Sequence, residues 1–278
     1  MAVSFDRVNH DILMSRVARR ETDKRLLRII REFLNAGMME GGLVSPSREG
    51  TPQGGPLSPI LSNLLLDDLD KELEKRGHRF VRYADDSNIY VKTERSGQRV
   101  MESVEKYLTR KLKLKVNREK SAVGSPKERK FLGFSFFGDD KPRRKISGKS
   151  LKQFKQRIRE LTRRTRGVSI GRMVDDLAPY LRGWVGYYGR CQTPSTLRDL
   201  DSWIRRRLRC VIWRGMKTGR LRYARLIRRG VRVDLAKTAA GSYHSPWHIA
   251  RSQAMSIAYP NRYFRELGLP ELASGYKG

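Results

Sequence analysis

Two dense cationic blocks, each with apolar residues at helical spacing inside it, constrain this chain most. Residues 141–170 hold 12 basic residues and one acidic, and residues 201–232 hold 12 and one again, so each block is net +11. A segment so one-sided in charge repels itself. It folds stably when one face buries apolar side chains and the other meets a polyanion. The apolar condition is met. Leu151, Phe154, Ile158 and Leu161 form one stripe, and Leu197, Leu200, Ile204, Leu208 and Val211 another. Between the blocks, Leu177, Leu181, Trp184 and Tyr188 repeat the pattern. These spacings predict helices with a packing side and a side suited to phosphates. Ser150 with Gln153 fits a capping box at the first of them.

The rest of the chain is far closer to balance. Residues 1–140 hold 27 basic and 21 acidic residues. The contrast predicts a boundary in the polar, turn-like stretch at 141–149. The predicted parts are 1–140, 141–240 and a Tyr- and Pro-rich extension at 241–278, expected as irregular segments packed on the helices. The net charge over 278 residues is +31, which favours nucleic acid as the partner over an anionic membrane surface. No run of eighteen apolar residues exists, so no membrane span is expected. The first residues lack a signal-peptide pattern. Cys191 and Cys210 are too few and too separate for a disulfide framework or a zinc site, which fits a reducing compartment.

In the first half, helices are expected at 11–18, about 23–36, about 57–75 and 98–112. Leu26, Leu27, Ile30, Phe33 and Leu34 would share one face of the second, with Asp23 at its start. Leu57, Ile60, Leu61, Leu64, Leu65 and Leu69 would face inward on the third. Phe80 to Val91 reads as two short strands around Ala84-Asp85-Asp86. Leu114 to Asn117 reads as a strand, and 129–138 as a hairpin with Gly133 at a close approach. The first half is therefore mixed α and β, with a small antiparallel sheet.

Asp85 and Asp86 are the sharpest local feature. Adjacent carboxylates repel and favour a cation. Magnesium takes oxygen donors and shares them with substrate phosphates. By itself such a pair is more often a solvated turn. Its neighbours change the balance. Tyr83 lies two residues upstream, and a Gly/Pro-dense loop lies about thirty before it. In that loop Gly54 and Gly55 let backbone approach a nucleotide closely, and Gln53 offers both donor and acceptor.

The ordered set resembles the palm motifs of reverse transcriptases. It comprises Gly50 to Pro59, Tyr83-Ala84-Asp85-Asp86, Asn117 with Lys120, and Phe131-Leu132-Gly133-Phe134. The stretches at 181–191 and 200–214 resemble the maturase-specific domain of the group II intron-encoded reverse transcriptase–maturases. The resemblance implies an α+β palm followed by a mostly helical, thumb-like domain. It implies an RNA-directed DNA polymerase that also acts as a splicing maturase, using two Mg2+ ions held by Asp85 and Asp86. Asp85 would be the more direct ligand and Asp86 a ligand or supporting charge. Lys120 would neutralise triphosphate or pyrophosphate, against the alternative of a solvated lysine. Pro52, Gln53, Gly54, Gly55 and Tyr83 would shape the nucleotide and template site. Phe131, Leu132 and Gly133 would form a primer grip, a role compatible with core packing.

One departure is marked. The family places a further catalytic Asp on its first palm strand, ahead of a stretch to which Phe5-Asp6-Arg7-Val8-Asn9-His10 corresponds. Counting back puts that position before Met1, and the fingers region is missing with it. The expectation is an N-terminally truncated enzyme, catalytically impaired in isolation unless a separate N-terminal fragment complements it. The rival readings are a non-catalytic, RNA-binding splicing helper and a structural or defence-associated reverse-transcriptase relative.

Structured intron RNA is the expected partner, with a DNA primer or target and deoxynucleoside triphosphates if the enzyme is active. The implied setting is cytoplasmic, in a bacterium and near the nucleoid. Lys149, Lys152 and Lys155 on one helix are the expected RNA-binding residues, together with Arg205, Arg206, Arg207, Arg209, Arg214, Arg222 and Arg225 beyond it. Arg forks bind phosphates bidentately. Trp184 and Trp203 fall on apolar stripes and read as core. Tyr187 and Tyr188 stay open between core and base stacking. His244 and His248 are four apart, but no acidic partner is near and a non-metal reading is preferred.

Overall fold

The computed structural model describes residues 3–4, 8–36, 38–40, 43–45, 57–138 and 141–276. The chain divides into two compact units, Met1–Ser125 and Pro126–Gly278. The first is mixed α and β with small antiparallel sheets, and the second is mostly helical.

In the first unit, β1 (Val3–Ser4) pairs with β6 (Lys115–Val116), and β2 (Met38–Glu40) with β3 (Leu43–Ser45). Helix α1 (His10–Val17) starts where the Asn9 side chain accepts from the Ile12 N–H, and α2 (Lys24–Asn35) where Asp23 accepts from Arg25 N–H. Helix α3 (Ser58–Lys75) opens with Pro59 in its first turn, where the missing N–H costs nothing. Its Leu61, Leu65, Leu66, Leu69 and Leu73 are buried against Leu13, Leu34, Val104, Leu108 and Leu112. Each such burial contributes about 1.5–3 kcal/mol.

The expected faces are partly corrected. Ile60 is 58% exposed, and Leu26 41%, whereas Leu66 and Leu73 are buried in addition. A helix buries only the arc its neighbours cover, and here α3 turns its Leu66 side inward. Arg16 and Arg19 pair with Asp68, and Arg20 with Asp67, which staples α1 to α3.

Strands β4 (Arg79–Tyr83) and β5 (Asp86–Tyr90) form a hairpin with Tyr83 opposite Asp86. Helix α4 (Glu94–Tyr107) continues into a wider turn over 108–112. Lys113 ends it in the left-handed conformation, and the Leu114 N–H donates back to Leu108 O at 3.0 Å.

The second unit begins with a three-stranded antiparallel sheet, β7 (Lys130–Phe131), β8 (Phe134–Phe137) and β9 (Arg143–Ile146), in that order. The 141–149 stretch was expected as a turn. Its cationic side chains stay in water while Ile146 packs inward, so it pairs as an edge strand. Helix α5 (Gly148–Leu161) is capped by Ser147, one turn ahead of the expected capping box. There follow α6 (Ile170–Tyr188), α7 (Pro194–Gly215), α8 (Gly219–Arg228) and α9 (Val233–Ala240). The extension folds into α10 (Pro246–Ile249), α11 (Gln253–Ala258) and α12 (Asn261–Glu266), more regular than its composition suggests.

The core of this unit runs through Phe154, Leu177, Leu181, Leu197, Leu208 and Trp213 to Met255, Phe264 and Leu272. The extension is thus part of the same core as the basic helices. Buried Asp201 fixes its end by accepting from Leu272 N–H at 2.9 Å and Ala273 N–H at 3.0 Å. Burial pushes the Asp201 carboxyl above the usual range, opposed by those two hydrogen bonds. Cys191 and Cys210 are buried free thiols. No helix among the described residues is long and apolar enough to cross a membrane.

Candidate active site and nucleic-acid interface

Asp85 and Asp86 sit at the tip of the β4–β5 hairpin, both exposed. Ala84 ahead of them takes φ +51°. That left-handed conformation costs a residue with a Cβ about 1–2 kcal/mol. One side chain holds it. Arg82 Nη1 donates to Ala84 O at 3.0 Å and to Asn63 Oδ1 at 2.7 Å. Its Nε and Nη2 donate to the Asp70 carboxylate. One guanidinium therefore ties the turn to the face of α3. Sequence reading did not single out Arg82, because its partners lie twelve and nineteen residues away.

Tyr83 is 64% exposed beside this tip. Lys120 is exposed, and its N–H donates to Asn117 Oδ1 at 3.1 Å. Pro52, Gln53, Gly54, Gly55 and Asp6 lie outside the described residues. Among the described residues, no three His, Cys, Asp or Glu side chains group as ligands for one ion.

The Phe131-Leu132-Gly133 stretch forms the β7–β8 turn of the second unit. Leu132 and Gly133 have φ +51° and +78°. Gly133 O accepts from Ser147 N–H at 2.9 Å and from Ser150 Oγ at 3.1 Å, while Leu132 O accepts from Tyr187 Oη at 2.8 Å. A Cβ on Gly133 would overlap the Tyr188 hydroxyl. Phe134 packs against both Tyr187 and Tyr188, and Tyr188 against Trp184. Tyr187 and Tyr188, left open from the sequence, thus anchor this turn to α6.

The cations divide into two groups. The first is spent largely on the protein itself. Arg206 donates to Trp247 O and lies over the Trp247 ring at 4.0 Å. Arg209 donates to Tyr259 O at 2.8 Å, and Arg222 to Met216 O at 3.0 Å. Arg205 faces Glu271. These residues join α7 and α8 to their surroundings, and sequence spacing had offered them only a role on phosphate. Burial lowers the pKa of Arg206, Arg207 and Arg209, yet a guanidinium keeps its proton at neutral pH.

The second group faces outward. Lys149, Lys152, Arg214 and Arg225 are exposed. Exposed Arg159 and half-buried Lys155 lie over half-buried Trp203, at 5.7 and 5.9 Å from its ring centre; Arg207 lies 5.4 Å from the same ring while its Nε donates inward to buried Thr162 Oγ1 at 3.0 Å. Helices α5 and α7 therefore present their charge together. Beyond them, Tyr243 is 94% exposed, and its ring packs at a tilt against His244, as His244 does against His248. Desolvation, then the charges of His244, Arg251 and Arg206, lower the His248 pKa.

Residues 2–136 match the family model of the reverse transcriptases (RNA-dependent DNA polymerases). Residues 151–230 match that of the group II intron maturase-specific domain. The chain carries a reverse-transcriptase domain followed by a maturase-specific domain. That order is the order of the group II intron-encoded reverse transcriptase–maturases. The Asp85–Asp86 hairpin belongs to the reverse-transcriptase match, and helices α6 to α8 with most of α5 fall within the maturase match.

Among curated proteins, the chain is 29% identical to protein YkfC of Escherichia coli K12 over 168 residues, 48% of this chain and 43% of that protein. It is 39% identical over 67 residues to the group II intron-encoded protein LtrA of Lactococcus lactis, 24% of this chain and 11% of that protein. It is 37% identical over 76 residues to an uncharacterized 91 kDa protein in the cob intron of Schizosaccharomyces pombe, 27% of this chain and 9% of that protein. The aligned stretches thus span less than half the length of each of these relatives.

Proposed function

We propose that this chain binds structured intron RNA through its maturase-specific helices and contributes the Asp85–Asp86 edge of a nucleotidyl-transfer site. The observation that carries the RNA reading is the set of exposed cations on the two helices that flank Trp203, with Lys149, Lys152 and Arg159 on α5 and Arg214 on α7, and Lys155 and Arg159 over the Trp203 ring. Cations from two helices on one aromatic patch match a phosphate backbone with unpaired bases. On this reading residues 1–140 form a palm, 141–240 the RNA-binding domain and 241–278 an extension packed on it.

Asp85 and Asp86 offer hard oxygen donors on an accessible turn, the donor chemistry that magnesium takes. They are the residues that would hold it. When bound, the metal supplies charge neutralisation for phosphoryl transfer to a primer 3′-hydroxyl. The chain's own residues do the positioning. Arg82 fixes the turn that bears both carboxylates, and Lys120 supplies a cation for the triphosphate. Pro52, Gln53, Gly54, Gly55 and Tyr83 contact nucleotide and template, and Phe131 to Gly133 the primer. A DNA primer or target and deoxynucleoside triphosphates complete the partners.

A second reading, a splicing helper that needs no chemistry, draws on the charge alone. The two +11 blocks lie wholly beyond the Asp85–Asp86 turn. Two assays on wild type and Asp85→Asn separate the readings. Primer extension abolished by the substitution, with intron RNA binding and splicing unchanged, supports the polymerase reading. Splicing stimulated equally by both proteins, with no incorporation by either, supports the helper. Loss of RNA binding on Asp85→Asn counts against both.

A further inference from the structure

The second unit contains a cavity that neither the palm motifs nor the helix stripes account for. Its volume is about 330 Å³, toward the small end of ligand pockets. It opens where the start of α6, the end of α7, the end of α8 and the extension meet. Arg164, Arg225 and Arg229 line it, and no carboxylate does. Three arginines and no carboxylate in one lining give the cavity a positive field, which favours an anion. Two tyrosines hold the third in place. The Arg229 guanidinium lies 5.0 Å from the Tyr259 ring centre and 4.8 Å from that of Tyr263. One side of the wall is apolar, with Ile170, Met173, Val211 and Ile212, and Ser169 and the two tyrosines complete it.

Cations beside an apolar wall suit a phosphate attached to a flat, weakly polar ring. We propose that this cavity receives one unpaired nucleotide of bound RNA, its phosphate on Arg164, Arg225 and Arg229 and its base against the apolar wall. The inference rests on the RNA-binding reading above and adds a specific site to it. It also gives the extension a role. Tyr259 and Tyr263 lie beyond the maturase-specific match and position an arginine at its end. Arg forks suit phosphate bidentately, and extruded bases are the usual means by which proteins read single-stranded RNA.

The test uses the full chain and a fluorescent uridine homopolymer, followed by anisotropy across a salt series. Arg225→Gln removes one rim charge from an exposed helix position. Gly215→Phe adds bulk at the cavity wall without changing charge, since the Cβ position of Gly215 is open. Arg220→Gln, exposed on the same helix but outside the cavity, is the charge control.

The expected result is about a tenfold loss of affinity for Arg225→Gln, with the salt slope reduced by about 0.7. Gly215→Phe should lose a similar amount although no charge is removed, and Arg220→Gln less than about threefold. Equal losses in Arg220→Gln and Arg225→Gln, or wild-type affinity in Gly215→Phe, would overturn the site while leaving general RNA binding intact. Oligoglutamate bound as tightly as RNA, and equally lost in Gly215→Phe, would overturn it in favour of an acidic protein partner. Inorganic phosphate that fills the cavity without displacing RNA would overturn it in favour of a free anion. Failure of the wild-type chain to bind the RNA at all would instead remove the broader reading.

Discussion

Replacing Arg82 with Gln should loosen the hairpin that carries Asp85 and Asp86 while leaving the core in place. The Arg82 side chain is 13% exposed and that of its partner Asp70 22%. Breaking a fully buried pair costs about 3–5 kcal/mol, and an exposed one about 0–1. This pair lies between those limits, which puts the loss near 2 kcal/mol. The same guanidinium also holds Asn63 Oδ1 and Ala84 O, so the left-handed Ala84 loses its restraint with it. A loss of that size raises the local opening constant about thirtyfold. Hydrogen exchange reads this directly. Amides of β4 and β5 should lose protection by about that factor, while those of α7 should not change. Asp70→Asn should lose a comparable amount, and the double variant should cost much less than the sum. Unchanged protection at the hairpin, or strict additivity of the two substitutions, would refute the claim that this guanidinium pins the turn.

Other consequences follow from single contacts. Gly133→Ala meets both a φ of +78° and the Tyr188 hydroxyl, so urea denaturation should show a loss of about 2–3 kcal/mol. Asp201→Ala leaves the Leu272 and Ala273 N–H groups without their acceptor. The expected loss is about 2–4 kcal/mol, seen in denaturation and in faster proteolysis of the extension. Asp176 has its carboxyl pKa held below the usual range, first by its hydrogen bond with Arg166 and then by the charges of Arg172 and Arg166. A lowered carboxylate pKa stabilises above the unfolded value near 3.8 and loses that stabilisation as pH falls through the folded one. Asp176→Asn should therefore melt below wild type near neutral pH, and the gap should close in strong acid.

The legible parts of the fold were those written in local spacing. The inward leucines of α3, the strands around Asp85 and the stripes of α5, α6 and α7 follow from side-chain period. Starts and edges were less legible. Ser147 and Ser150 both suit a helix N-terminus; Ser147 Oγ accepts from the Ser150 N–H, so Ser150 lies inside α5, where its Oγ donates to Gly133 O. The strand β9 reads as a polar turn because four of its six flanking and internal side chains are cations or proline. Its identity comes from pairing with β8.

The site divided along the same line. A pair such as Asp85 and Asp86 is visible in any sequence, whereas Arg82 acquires meaning only from the face of α3 beside it. Arg206, Arg207, Arg209 and Arg222 are indistinguishable in sequence from their exposed neighbours. Burial spends them on Trp247, Thr162, Tyr259 and Met216. The cavity ringed by Arg164, Arg225 and Arg229 draws on helices far apart in the chain, and no window of sequence holds them together.

The claim beneath all of this is that the cationic helices of the second unit face RNA phosphates. Filter binding of the whole chain to a structured RNA, repeated from low to moderate salt, tests it most directly. Each neutralised phosphate contributes about −0.9 to the slope of log affinity against log salt on a duplex. Five contacts, from Lys149, Lys152, Lys155, Arg159 and Arg214, predict a slope of about −4.5. A slope close to zero would mean that those charges do not meet RNA, and would contradict the account.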